Sequence, residues 1–106
     1  MTGTATKVGR LEDWTPGAAR QVVVGSHRLA VVRIDDDVYV IGDRCSHENV
    51  SLAEGEVLAE DREIECWKHG STFSLTTGEP QSLPATKPVP VYQVVRSGDD
   101  VLVRLP

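Results

Sequence analysis

Few cysteines, few aromatic residues and no long apolar run limit what this 106-residue chain can be. No segment approaches the roughly 20 apolar residues of a membrane-spanning helix, so we expect no membrane protein. Aromatic residues make up only 5% of the chain, so valine, leucine and isoleucine must supply its core. The length suits one domain, residues 1–106, and leaves no room for a second.

Charge and cysteine content narrow the possibilities further. The formal net charge is −5, whereas nucleic-acid binding needs clustered lysine and arginine, so we expect no nucleic-acid partner. Residues 1–7 contain no apolar signal region, which predicts a cytoplasmic protein. The chain has two cysteines. If both bind a metal, none is left for a disulfide, as befits a reducing compartment.

What the sequence does contain is two mixed pairs of cysteine and histidine, Cys45-Ser46-His47 and Cys66-Trp67-Lys68-His69. They use both cysteines and two of the three histidines. Two thiolates and two imidazoles can bind zinc. They can also bind a 2Fe–2S cluster in which two histidines replace two cysteines on one iron.

Zinc is the simpler alternative, but the spacing disfavours it. Structural Cys₂His₂ zinc sites usually pair like with like, as Cys-x₂₋₄-Cys and His-x₃₋₅-His. Here each close pair is mixed, which suits a dinuclear cluster because each loop can send its cysteine to one iron and its histidine to the other. The pattern therefore favours the mixed-ligand cluster, and zinc stays as the alternative.

Short strands separated by turn residues predict an all-β fold. Apolar runs at residues 28–34 and 38–41 flank an aspartate cluster and predict one hairpin. Runs at residues 91–96 and 101–105 predict another near the end of the chain. Residues 43 to about 83 carry both Cys/His pairs and read as a cluster-binding subdomain inserted into the β framework.

The two pairs resemble the cluster-binding loops of Rieske proteins, and of small soluble Rieske-type ferredoxins in particular. The resemblance lies in Cys45-Ser46-His47 and in Cys66-Trp67-Lys68-His69-Gly70-Ser71-Thr72-Phe73, followed by Thr77-Gly78, and it extends over nearly the whole chain. It implies a Rieske fold, an antiparallel β-sandwich framework with the inserted cluster-binding subdomain. It also implies one 2Fe–2S cluster per chain. The implied cluster-binding residues are Cys45, His47, Cys66, His69 and Ser71, of which the first four are the metal ligands.

The resemblance also predicts a low reduction potential. In high-potential Rieske proteins, a serine and a tyrosine after the second histidine donate hydrogen bonds to the cluster sulfurs, and an extra disulfide clamps the loops. Ser71 occupies the serine position here, but Phe73 stands where the tyrosine would be, and the chain has no further cysteine.

The implied function is that of a one-electron carrier in a ring-hydroxylating system. Such a carrier passes electrons from a flavin-dependent NAD(P)H reductase to a terminal non-haem iron oxygenase, and it is not itself an enzyme. We expect a monomer. Two alternatives stay open, an accessory ferredoxin of iron–sulfur cluster assembly and the small subunit of an assimilatory nitrite reductase. Glu48 and Glu54, near the first loop, are candidates for steering a basic redox partner.

Overall fold

A computed structural model describes residues 5–46, 49–68, 70–83 and 85–105. Within these residues the chain forms ten short strands and two single-turn 3₁₀ helices. The strands are β1 (Ala5–Arg10), β2 (Ala19–Val24), β3 (His27–Ile34), β4 (Asp37–Gly42), β5 (Val57–Leu58), β6 (Glu63–Glu65), β7 (Thr72–Ser74), β8 (Val91–Tyr92), β9 (Val94–Ser97) and β10 (Asp100–Arg104). The 3₁₀ helices are Leu11–Asp13 and Leu52–Glu54.

The strands form three antiparallel sheets, which confirms the predicted all-β fold. The strand orders are β1-β10-β9, β2-β3-β4-β8 and β5-β6-β7. The first two sheets share a core that includes Trp14, Leu29 and Val101, and they form the β-sandwich framework. The third, smaller sheet lies between β4 and β8 in chain order and follows the first Cys/His pair.

Strand β3 belongs to both cores of the molecule. Successive side chains of a strand point to opposite faces. Leu29 and Val31 therefore enter the framework core, whereas Ala30 and Val32 enter a second core beside the small sheet. This explains why residues 29–32 form an unbroken apolar run, since neither face of the strand meets water.

Both predicted hairpins are present, but the second has an unexpected break. The β3–β4 turn at Asp35 and Asp36 follows the predicted aspartate cluster. The predicted run at residues 91–96 is divided at Gln93, so that β8 pairs with β4 and β9 pairs with β10. The chain thus moves from one sheet of the sandwich to the other within this run. The apolar pattern of residues 91–96 continues through the change of sheet, so the sequence gives no sign of the break.

Candidate metal centre

The first Cys/His loop starts at the end of β4 and closes on itself. The Cys45 N–H donates to the Val50 carbonyl oxygen at 3.1 Å, and Arg44 forms an isolated antiparallel bridge with Ser51. These contacts turn the chain so that Cys45 points inward, where it is only 1% exposed. The loop therefore places its thiol in the protein interior.

A buried carboxylate, Asp43, anchors this loop. Its side chain accepts three hydrogen bonds, from Gln21 Nε2 at 2.5 Å, Ser51 Oγ at 2.9 Å and the Ala53 N–H at 2.9 Å. Its main-chain oxygen also accepts from the Leu52 N–H at 2.6 Å. Asp43 thus joins β2, the end of the loop and the second 3₁₀ helix. In the sequence, position 43 stands out only as the start of the predicted cluster-binding subdomain.

The second Cys/His loop is a tight turn between β6 and β7. The Cys66 N–H donates to the Ser71 carbonyl oxygen at 2.7 Å, and the Gly70 N–H donates to the Cys66 carbonyl oxygen at 2.9 Å. Gly70 has a φ of 79°, a left-handed conformation that glycine adopts without strain. Cys66 is buried, whereas Trp67 at the tip is 52% exposed.

The structure brings the two cysteines into one core. Cys45 and Cys66, both in the described part of the chain, pack in the same cluster of buried residues as Leu52 and Phe73, and they form no disulfide. The remaining predicted ligands, His47 and His69, lie outside the described residues. Among the residues that are described, no three of the types His, Cys, Asp or Glu come together as a metal site.

The proline-rich segment after β7 contacts both loops. Buried Ser71 accepts a hydrogen bond from the Ala85 N–H at 3.0 Å, and the Ser46 hydroxyl donates to the Lys87 carbonyl oxygen at 2.5 Å. Pro84, in the same segment, lies outside the described residues. The oxygen of Ser71 is thus fixed by Ala85, and its hydroxyl hydrogen can still be donated to another acceptor.

Two buried thiols from two loops, held in one core and covered by one segment, fit a group that both loops bind together. Comparison with known proteins decides the family, since the Rieske [2Fe-2S] domain matches residues 4–93.

The chain belongs to the Rieske [2Fe-2S] domain family.

Similar Rieske proteins include ferredoxins of several dioxygenases. The ferredoxin subunit of 3-phenylpropionate/cinnamic acid dioxygenase from Escherichia coli K12 is 41% identical over 78 residues, which are 74% of this chain and 73% of that protein. The ferredoxin of carbazole 1,9a-dioxygenase from Nocardioides aromaticivorans IC177 is 39% identical, with a TM-score of 0.91 over 94% of this chain and 96% of its own.

A further solved structure shows such a ferredoxin with its partner. It is a complex of reduced oxygenase and oxidized ferredoxin in carbazole 1,9a-dioxygenase. The matched chain is 40% identical, with a TM-score of 0.85 over 93% of this chain and 91% of its own. Chains named as small subunits of nitrite reductases are 22% and 20% identical, and that likeness shows the fold alone.

The cofactor of this Rieske domain is a 2Fe–2S cluster, which accepts and releases one electron when bound. Two ferric ions and two sulfides carry a charge of +2, so two thiolates and two neutral imidazoles give an oxidised site near zero charge. An all-cysteine site starts more negative and resists reduction. In Rieske proteins in general, histidine ligation therefore raises the potential from about −400 mV into a range of about −150 to +300 mV. The helices found in the described part of the chain are single 3₁₀ turns, and none of them could span a membrane.

Proposed function

We propose that this Rieske protein is the ferredoxin of a ring-hydroxylating dioxygenase system. It takes single electrons from a flavin-dependent NAD(P)H reductase and delivers them to a terminal non-haem iron oxygenase. The main support is the placement of Cys45 and Cys66 in one buried core, in a chain about 40% identical to dioxygenase ferredoxins. The chain transfers electrons and makes no bond in the substrate. We further propose that it works in the cytoplasm, where thiols remain reduced.

We infer the ligand set from the two loops. Cys45 and Cys66 supply the thiolates from the interior, and His47 and His69 supply the imidazoles. This inference treats residues 1–106 as one Rieske domain in which residues 43 to about 83 are the cluster-binding subdomain. It is supported by hydrogen bonds that hold each cysteine at the base of a closed turn, Cys45 to Val50 and Cys66 to Ser71.

The ligand set is tested by replacing each histidine in turn. His47→Ala and His69→Ala should each lose the cluster or hold it weakly, because each removes one of the four ligands. His27→Ala is the matched control, since His27 begins β3 and its ring packs against Tyr92. Iron, acid-labile sulfide and zinc are measured in each purified protein. Wild type should contain two irons and two sulfides per chain. Zinc in wild type, or equal iron loss in the control, would contradict the assignment.

The carrier function is tested by reconstitution. Substrate hydroxylation by an oxygenase of this class should require its reductase, NAD(P)H and this protein together. Omitting the protein should abolish product formation, and the colour of its cluster should bleach and return as electrons pass through. Product formation that does not depend on this protein would contradict the function.

The reduction potential should lie in the lower part of the Rieske range, because Phe73 offers no hydroxyl to the cluster. Phe73 is fully buried in the core that contains both cysteines. Phe73→Tyr should therefore raise the potential by adding a donor there, and Ser71→Ala should lower it by removing one. Protein-film voltammetry measures both shifts. A wild-type potential near +300 mV, at the upper end of the range, would contradict this interpretation.

A further inference from the structure

A groove of about 620 Å³ opens beside the first cluster loop. Cys45 and Ser46 form part of its wall, and the other walls come from the start of β3, the end of β4 and residues 87–90. The groove therefore reaches from solvent to a proposed cluster ligand. A partner surface seated in it would therefore contact the loop that carries Cys45.

The groove is basic, in a chain whose net charge is −5. Its walls carry His27, Arg28, Arg44 and Lys87, which come from three separate segments of the chain. Asp43 is the one carboxylate among the described lining residues, and it is buried with three donors already bound to it. Among the described lining residues, the positive charges therefore outnumber the accessible negative ones.

The cations of the groove, Arg28, Arg44 and Lys87, differ from four other cationic side chains in the described part of the chain. Lys7, Arg10, Arg33 and Arg62 each form an ion pair with an aspartate or glutamate. Over the described residues, the Arg28 and Lys87 side chains have no ion pair or hydrogen bond, and the bond found for Arg44 goes to the neutral amide of Asn49 at 3.3 Å. The charge of the groove is thus left uncompensated by the described residues.

Contacts within the protein also hold the walls of the groove in place. The Ser46 hydroxyl donates to the Lys87 carbonyl oxygen, and the His27 and Tyr92 rings meet edge to face at 6.1 Å. Pro88 and Pro90 stiffen one wall because each fixes its own φ. A surface that is ordered before binding loses less conformational entropy when a partner docks.

We propose that this basic groove, formed by His27, Arg28, Arg44 and Lys87, docks an acidic surface of a redox partner protein. This inference rests on the proposed function, because it gives the charge of the surface through which the ferredoxin meets its reductase or its oxygenase. Arg28, Arg44 and Lys87 are exposed, and they line an open groove from three different segments of the chain. That arrangement suits several carboxylates on a protein surface better than one enclosed small anion. Exposed charges of this kind steer association and set its orientation.

The electrostatic attraction of anions to the groove is tested first with a small redox reagent. Reduced protein is mixed with ferricyanide, which takes one electron from the cluster and becomes ferrocyanide, and the rate is followed by stopped flow across a salt series. Attraction in the groove predicts a wild-type rate that falls as salt rises. The triple variant Arg28→Gln, Arg44→Gln and Lys87→Gln should be about tenfold slower at low salt and equal to wild type at high salt. A wild-type rate that rises with salt, as the net negative charge alone requires, would overturn the proposal.

The partner is then tested with the reductase and oxygenase of the carbazole 1,9a-dioxygenase system. The triple variant should slow electron transfer with at least one of them, whereas the control Lys7→Gln, which removes an exposed charge from β1, should not. If wild type exchanges electrons with a partner and the triple variant does so at the same rate, the groove proposal alone is overturned. The groove would then be, at most, a site for small anions. Wild-type protein that exchanges electrons with neither protein would instead overturn the proposed function.

Chemical cross-linking tests docking directly, independently of any effect of the substitutions on the cluster. A carbodiimide joins an amine to a carboxylate in direct contact, so Lys87 should couple to an aspartate or glutamate of the partner. Mass spectrometry of the digested complex identifies the linked peptides. Lys87→Arg should keep the transfer rate and lose the cross-link, because it keeps the charge without the amine. Cross-links at Lys7 and none at Lys87 would place the partner elsewhere and overturn the proposal.

Discussion

An Asp43→Ala protein is expected to lose about 2–4 kcal/mol of stability and to release its cluster faster than wild type. Three donors bind this buried carboxylate, and hydrogen bonds to charged groups contribute about 1.5–3 kcal/mol each. Gln21 and Ser51 can turn toward water after the substitution, so the loss is smaller than the sum. The Ala53 N–H belongs to the main chain and cannot turn in this way, so the second 3₁₀ helix should loosen from the first loop.

The measurement is the free energy of unfolding together with the rate of iron release to a chelator, well below the melting temperature. Asp36→Ala is the matched control, because the Asp36 side chain is 88% exposed and pairs with Arg33 on the surface. Exposed pairs contribute about 0–1 kcal/mol, so the control should resemble wild type in both measurements. If Asp43→Ala lost no more stability than Asp36→Ala, the carboxylate would not be the anchor of the loop.

The contrast between Asp43 and the cysteines shows what the sequence can and cannot predict. The Cys/His pairs are local patterns whose chemistry is legible from spacing, and the hairpin turns follow from their own residues. The importance of Asp43 depends on Gln21, which is distant in sequence and meets it only after β2 pairs with β3. No local pattern marks such a contact in advance.

The charged residues near the first Cys/His loop also show that contacts between residues distant in the chain are not visible in the sequence. In the sequence, Glu48 and Glu54 are candidates for steering a partner because they follow the first ligand pair closely. Glu48 lies outside the described residues, and Glu54 is exposed at the end of the second 3₁₀ helix. The basic groove was missed because Arg28 and Lys87 are far apart in the sequence and meet only in the fold.

The second large effect is expected at Gly55. This residue lies where the segment that follows the first Cys/His loop contacts β6, the strand that leads to Cys66. Gly55 is the C-cap residue that follows the second 3₁₀ helix, and a Cβ atom there would collide with the main-chain oxygen of Glu65, the residue before Cys66. Its φ of −83° is open to any residue, so glycine is needed here for the close approach and not for the backbone conformation.

Gly55→Ala should therefore force the segment that follows the first Cys/His loop away from β6. Overpacking typically costs about 1–3 kcal/mol, and a main-chain oxygen cannot swing aside as a side chain can, so we expect a loss of about 3 kcal/mol or more. For a domain of this size, that lowers the melting temperature by roughly 10 °C or more. Iron content after purification should fall as well, because Cys66 follows the displaced residue.

Gly98→Ala is the control that separates crowding from backbone strain. Gly98 has a φ of 60°, and nothing lies within 4 Å of the added Cβ, so alanine there suffers strain without collision. A left-handed non-glycine residue costs about 1–2 kcal/mol. Thermal melting of both variants, at one scan rate, should place Gly55→Ala clearly below Gly98→Ala, and only the former should lose iron. If the two variants melted together with full iron content, Gly55 would not be the contact that holds the segment after the first loop against the strand carrying Cys66.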